Sequence, residues 1–261
     1  MSPPSIAAVN QLPDGEKLAI YRRFIPPPLL ERFHIRTDLT DEEGRALATF
    51  RCAAGSTDVV VALRHEYEAQ DPLLYAHLTD TITGQVHVLL YVVNDPESPR
   101  FDVDKMPDGT PTEFGTFRRN LSAEIAAQEA GLAPGQVRRG LRMLQHSIRA
   151  FEEFVTSLGH EVYFVEPLAY HNAVVFERYG FAYVEGRRLM TRIQGGFPSG
   201  GELQVRLDGS TPFRRPGAEE SIRGRSWAVH DGILGEPFTG VTMYKRVGAR
   251  AGIDTFPGGV W

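Results

Sequence analysis

Val86, Val88, Leu90 and Val92 recur at every second position of the run Val-His-Val-Leu-Leu-Tyr-Val-Val. That period puts one set of side chains on one face of an extended chain, and it does not fit the 3.6-residue repeat of a helix. Two similar runs precede it: Val59, Val60, Val61 and Leu63, then residues 73–78. Thr83-Gly84 supplies a tight turn before the third run, and Asn94-Asp95-Pro96 closes it. Connections this short leave no room for a parallel crossover. Residues 58–103 are therefore expected to form a three-stranded antiparallel meander.

The rest of the chain alternates in type. Asn120 can cap a helix through Leu121, Ile125 and Ala126, with Gly131 ending it. Val137, Leu141, Leu144, Ile148, Phe151 and Val155 are spaced by three and four residues. This predicts a helix that opens just after Pro134 and stops at Gly159. Residues 161–166 read as a strand halted by Pro167. Asn172 is a plausible cap for a short helix through Val175, Phe176 and Tyr179, with Gly180 in the left-handed position, before a strand at residues 181–184. Upstream, residues 18–24 read as a short strand, and Pro26, Pro27 and Pro28 open a helical turn through Leu29, Leu30 and Phe33.

Glycine and proline dominate residues 194–217, which make a boundary or a loop-rich extension. The tail beyond keeps Trp227, Phe238, Tyr244, Phe256 and Trp261. A disordered tail would carry fewer aromatics, so it is expected to pack on the core or on a second subunit, a possible homodimer. The expected fold is α/β (α+β), a mixed, mostly antiparallel sheet flanked by helices. Residues 1–57 form an N-terminal extension, 58–193 the core and 194–261 a C-terminal extension.

A chain of 261 residues with 42% hydrophobic residues can bury a sizeable core. The net charge of -5 argues against a nucleic-acid partner. The single cysteine, Cys52, excludes an intramolecular disulfide and a cysteine-based zinc site. The eight histidines show no His-x-x-x-His spacing, and no metal is expected. No apolar run of about 18 residues suggests a membrane span. The start, Met1-Ser2-Pro3-Pro4-Ser5, lacks the basic and apolar regions of a signal peptide. A cytoplasmic protein is expected.

Charge adds one local feature. Arg138, Arg139 and Arg142 fall in the first turns of the helix expected after Pro134. The positive end of a helix dipole disfavours cations by about 0.3–1 kcal/mol each unless something offsets them. Such an end suits a bound anion, above all phosphate. The other reading is a solvated face with counter-ions or a nearby carboxylate.

Two segments carry a resemblance. Gln136-Val137-Arg138-Arg139-Gly140-Leu141-Arg142 is similar to a pyrophosphate loop of the Gln/Arg-x-x-Gly-x-Gly/Ala type opening a helix. Asn172 to Phe181 is similar to a short helix that ends in a Gly-Phe pair before a strand. In this order, after a meander and with a strand between them, they resemble the GNAT superfamily of acyl-CoA-dependent acyltransferases over residues 58–193. The resemblance implies acetyl-CoA or another acyl-CoA as co-substrate, held at Gln136, Val137, Arg138, Arg139, Gly140, Leu141 and Arg142, and an amine as acceptor. With Gly140 at the first glycine position the chain departs from the pattern at Arg142, where the loop has a small residue; with Gln136 placed first, both glycine positions fall on Arg139 and Leu141. It departs again at Phe176, where many members have a proton-donating tyrosine, and at Ala169, where asparagine is usual. A helical insertion, residues 118–131, also separates the meander from the loop.

Acyl transfer to an amine needs a base, and often an acid for the leaving thiolate. Glu166 ends the central strand and is either that base or a solvated carboxylate. Tyr170 and His171 follow in the expected connecting loop. His171 could serve as acid or base or lie on the surface or cap a helix. His230-Asp231-Gly232 reads as a turn rather than an orienting His–Asp pair.

Overall fold

The computed structural model describes residues 3–112 and 118–261; Met1, Ser2 and Glu113 to Phe117 lie outside the described residues. In chain order the elements are α1 (Ile6–Asn10), α2 (Asp14–Tyr21), a 3-10 turn (Arg22–Phe24), α3 (Pro27–Arg32), β1 (Ala48–Arg51), β2 (Asp58–Leu63), β3 (Leu74–Asp80) and β4 (Val86–Val93). They continue with α4 (Leu121–Glu129), α5 (Leu144–Ser157), β5 (Val162–Val165), α6 (Tyr170–Arg178), β6 (Ala182–Glu185) and α7 (Arg187–Gly196). Two further 3-10 turns (Gln204–Arg206 and Ala218–Glu220), α8 (Ile222–His230) and β7 (Thr242–Arg246) complete the described chain. The fold is α/β with a mixed, mostly antiparallel sheet and flanking helices.

The chain divides into two compact units. The first comprises the residues before Ser98 together with Gly140–Glu166 and Tyr244–Arg250. The second comprises Ser98–Arg139, Pro167–Met243 and Ala251–Trp261. Neither is a continuous stretch of sequence.

In the first unit the strand order is β1-β2-β3-β4-β5-β7. The meander is as expected: β2, β3 and β4 pair antiparallel, and β1 adds a further antiparallel strand on β2. Gly84, at φ +79, makes the turn into β4, with its N–H donating to Thr81 O at 2.9 Å. β4 carries a bulge. His77 faces Leu90 while Leu78 faces Val88, so Leu89 has no counterpart on β3. β5 then joins β4 in parallel, at His87 with Phe164 and Val88 with Val165.

Residues 18–24 are not a strand. α2 and the 3-10 turn cover them, because their buried side chains, Ile20, Tyr21 and Phe24, follow helical rather than alternating spacing. Asp14 and Glu16 favour the same outcome by placing negative charge in the first turn of α2. Tyr21 and Phe24 pack on Phe154 of α5, and Phe24 packs on Phe151 as well. Tyr21 donates to Asn10 Oδ1 at 2.6 Å, and Asn10 in turn donates to the carbonyls of Ser56 and Asp58.

The helix expected after Pro134 begins only at Leu144. Upstream, Val137 O accepts from the Phe101 N–H at 2.8 Å, and Gly140 bridges to Asn94. These partners hold residues 137–140 in irregular, non-helical structure, with a bridge at Gly140. Arg142 then takes φ +58, a left-handed turn that no helix continues. The first turn of α5 therefore holds no arginine, and the clash of Arg138, Arg139 and Arg142 with a helix dipole does not arise. Left-handed backbone costs a side-chain-bearing residue about 1 kcal/mol. Arg142→Gly is accordingly expected to raise stability by about 1 kcal/mol in urea unfolding; a loss would show that the arginine side chain stabilises the turn.

The second unit is built on α4, α6, α7 and α8. Asn120 caps α4, accepting from the Ala123 N–H, and Gly131 ends it at φ +87. Trp227 of α8 is 1% exposed, stacks on Phe213 at 5.0 Å and donates through Nε1 to Leu132 O at 2.8 Å. Val103, Ala127 and Leu132 complete this cluster. The last stretch of the tail, Ala251–Trp261, packs within this unit. Ala251 N donates to Gly180 O, Thr255 donates twice to Glu177 Oε2, Arg178 bonds Gly259 O, and Ile222 N donates to Val260 O. Asn172 is not a cap; α6 starts two residues earlier, with Ala169 extended before it. Tyr170 and His171 thus belong to the first turn of a helix and not to a loop. Gly180 does end that helix, at φ +87. Among the described residues no helix is long and apolar enough to cross a membrane.

Candidate functional site

The residues singled out in the sequence divide between the units. Gly140, Leu141, Arg142 and Glu166 belong to the first; Gln136, Val137, Arg138, Arg139, Tyr170 and His171 belong to the second.

In the first unit the distinctive region is the outer half of β4. Parallel pairing with β5 ends at Val88, beyond which only Glu166 N reaches back, to Val88 O at 3.1 Å. Residues 89–93 have no registered partner on β5. The chain returns beside the end of this segment at Gly140, where a Cβ would sit 3.4 Å from Val93 O. α5 follows with Met143 at its N-cap position and no side-chain cap, so its first N–H groups have no side-chain acceptor. Ser147 Oγ, in the first turn of α5, and the Tyr91 hydroxyl of β4 are both buried without a hydrogen-bond partner. Burial pushes the Tyr91 phenol up, and Ser147 opposes the shift.

Glu166 is exposed at the end of β5. It acts on His87, whose imidazole burial pushes down and Glu166 pushes back up. His87 Nε2 is buried without a partner, with its ring edge-on to Phe164 at 6.4 Å.

In the second unit, Gln136 Oε1 accepts from Ala133 N, Arg138 bonds Ser98 O, and Arg139 N donates to Ser98 Oγ. Val137 packs against the Trp227 cluster. Tyr170 and His171 are buried. His171 Nδ1 lies 2.8 Å from Ser226 Oγ, and Nε2 lies 3.2 Å from Asn172 Nδ2. With Asn172 as donor, the ring is a neutral tautomer carrying its proton on Nδ1. Trp261 meets it edge-on at 5.9 Å. Burial, helped by His230, pushes His171 down to about 3. Burial pushes Tyr170 up to about 12, with Arg225 opposing. At neutral pH His171 stays neutral and Tyr170 keeps its proton, so neither exchanges protons readily.

Two polar clusters of this unit were not legible in the sequence. His230 and Asp231 do not pair with each other. Asp231 accepts from Arg119 at 2.7 Å, Arg214 at 2.9 Å and Thr211 at 2.8 Å. Buried Glu124 accepts from Arg119 and lies 3.1 Å from His230 Nε2. Burial raises Glu124, but the bonds from His230 and Arg119 outweigh it and hold the carboxyl below its ordinary value. With every carboxylate oxygen partnered, this cluster is a structural clamp. The second cluster surrounds Arg225 of α8. Among the described residues no group of histidine, cysteine or carboxylate side chains is arranged to hold a metal ion.

No protein-family model, curated protein or solved structure matches this chain.

Proposed function

We propose that the chain is an acyl-CoA-dependent N-acyltransferase resembling the GNAT superfamily, moving an acetyl or other acyl group onto an amine. The observation that carries this reading is the divergence of β4 and β5. Their parallel pairing is confined to two residue pairs beside a bulge, leaving the outer half of β4 without a partner on that side. An extended, amide-bearing chain such as pantetheine can add to such an edge as a strand would. The uncapped start of α5, preceded by Gly140 and by the left-handed turn at Arg142, offers backbone donors for the pyrophosphate. A glycine favours the backbone at 142 just as the loop pattern requires, although the residue is arginine. Exposed Arg142 can meet phosphate from outside the turn.

In this mechanism Glu166 is the base that takes the ammonium proton, since it is the one of the three candidates that is exposed. The freed amine attacks the thioester carbonyl directly. The tetrahedral intermediate loses the remaining extra amine proton to solvent and collapses to an amide, expelling the CoA thiolate, which takes a proton from solvent.

Acetyl-CoA, malonyl-CoA or CoA at saturation is expected to raise the melting temperature, since a ligand at a hundred times its Kd adds about 2.7 kcal/mol. Thiol release on a panel of amines is expected with at least one of the thioesters. Glu166→Gln should lower kcat by about 100-fold or more and leave the melting shift unchanged. If none of the three ligands moves the melting temperature, the reading is wrong. A second reading, a catalytically degenerate ligand- or partner-binding protein, rests on Phe176, whose ring packs on Phe181 at 5.0 Å and donates no proton. It predicts a melting shift without thiol release.

A further inference from the structure

Beyond β7, Ala251–Trp261 run as a strap with no helix or strand of their own. Their hold on the second unit is mostly polar. Ala251 N donates to Gly180 O at 3.1 Å, Ile222 N donates to Val260 O at 2.8 Å, and Arg178 bonds Gly259 O. The central anchor is Glu177 of α6, a buried carboxylate. It accepts from the Thr255 N–H at 2.8 Å, from the Thr255 hydroxyl at 3.0 Å and from the Tyr183 hydroxyl of β6. Phe256, with the Arg225 guanidinium 3.5 Å from its ring centroid, is the only large apolar side chain of the strap that is buried. Val260 and Trp261 are exposed. A segment that buries so little apolar surface opens locally at a free energy below that of global unfolding.

The strap lies against ionisable groups that have lost their water. Trp261 meets the buried His171 ring edge-on at 5.9 Å. The ring nitrogens face Ser226 Oγ of α8 and Asn172 Nδ2 of α6. With Asn172 donating to Nε2, the closed form has no acceptor for a second ring proton. His230 of α8 also acts on the ring and opposes a positive charge there. Around Glu177, Tyr183 donates from β6 and Tyr170 acts from within α6. Arg225 donates to Glu219 O and Gln194 Oε1, both at 2.6 Å, and interacts with Tyr170.

We propose that residues 251–261 are an acid-sensitive strap, which opens locally as His171 takes up a proton and thereby uncovers the face of α6 that carries His171 and Glu177. In the closed form burial holds His171 down to about 3; wetted, it returns toward its ordinary 6.5. The open form therefore binds the proton first. Below about pH 6.5 each further pH unit raises the open fraction by up to about tenfold, until the closed ring also protonates near pH 3. Protonation of Glu177 acts in the same direction, because a neutral carboxyl holds the Thr255 donors less firmly than a carboxylate does. What changes is the frequency with which the strap opens, while α6 and α8 stay folded.

The test is amide hydrogen exchange of the full chain at about pH 7 and about pH 5, read as protection so that the intrinsic exchange rate cancels. The Ala251, Thr255 and Ile222 amides, which pair across the strap, are expected to be less protected than those of α4 at both pH values. They are expected to lose a further tenfold or so at the lower pH in the parent and much less in His171→Asn, with melting curves to check that the variant folds. Trp261→Ala, at an exposed residue, tests the cover directly: in an NMR titration His171 should protonate about one pH unit or more higher than in the parent. The proposal is overturned if the strap amides are protected as well as those of α4, if their protection is the same at both pH values, if it falls equally in folded His171→Asn, or if Trp261→Ala leaves the His171 titration unmoved. No thioester enters these measurements, so their failure leaves the acyl-transfer reading standing, and loss of that reading leaves the strap as described.

Discussion

Trp227→Ala is expected to destabilise the second unit by about 3–5 kcal/mol. The indole is 1% exposed and stacks on Phe213, so truncation leaves a cavity among Val103, Ala127 and Leu132. It also strips Leu132 O of its donor in the interior, a further cost of about 1–3 kcal/mol if water does not enter. Denaturant unfolding followed by circular dichroism measures the loss, with Val205→Ala, 63% exposed, as a control that should change stability by about 0.5 kcal/mol or less. A loss of about 1 kcal/mol or less at Trp227 would mean that this cluster is not the core of its unit.

Acid should weaken the fold well before its carboxylates titrate. His171 is held down to about 3 by burial against an ordinary 6.5, so on acidification the unfolded chain takes up this proton first. The stability tied to the neutral ring is complete above about pH 6.5 and falls by about 1.4 kcal/mol per pH unit below it, until the folded ring also protonates near pH 3. Glu124 acts in the same direction lower down. Its carboxyl lies below the ordinary value, so its contribution is present above that value and disappears as pH falls through the depressed one. His171→Asn keeps a polar atom near Nδ1 for Ser226 and cannot protonate. Unfolding free energies at neutral pH and about pH 5 should therefore converge in the variant and differ in the parent. Equal slopes in the two proteins would assign the acid sensitivity elsewhere.

The meander was readable because its information is local. Alternation along residues 86–93 and the Thr83-Gly84 turn fix both strand type and direction without reference to the rest of the chain. Residues 18–24 were misread for a related reason: a short apolar run fits either period, and the charges that settle the matter, Asp14 and Glu16, lie upstream of it. The segment after Pro134 shows a different limit. Its apolar spacing fits a helix throughout, yet Val137 and Gly140 are claimed by Phe101 and Asn94, about forty residues away in sequence. Nothing in the local pattern reports such pairings.

Of the candidate residues, the place of Glu166 at the end of β5 was legible because a strand end is a local feature, whereas Gly140, expected inside a helix, lies ahead of α5. Tyr170 and His171 were selected by residue type, and it is burial that makes one a proton-retaining phenol and the other a neutral imidazole. Arg225, Glu219 and Gln194 gave no signal at all. They form a cluster only because α8, a 3-10 turn and α7 pack together.

By itself the sequence determined the β-meander, the α/β class, the Asn120 cap that opens α4, and the glycines that end α4 and α6. All of these follow from side-chain periodicity and from backbone freedom at single residues. The tertiary structure alone decided where α5 begins, how far β4 stays paired with β5, and which ionisable groups lose their water. Those outcomes depend on hydrogen-bond partners and burial supplied by segments distant in sequence, whose energies no local pattern contains.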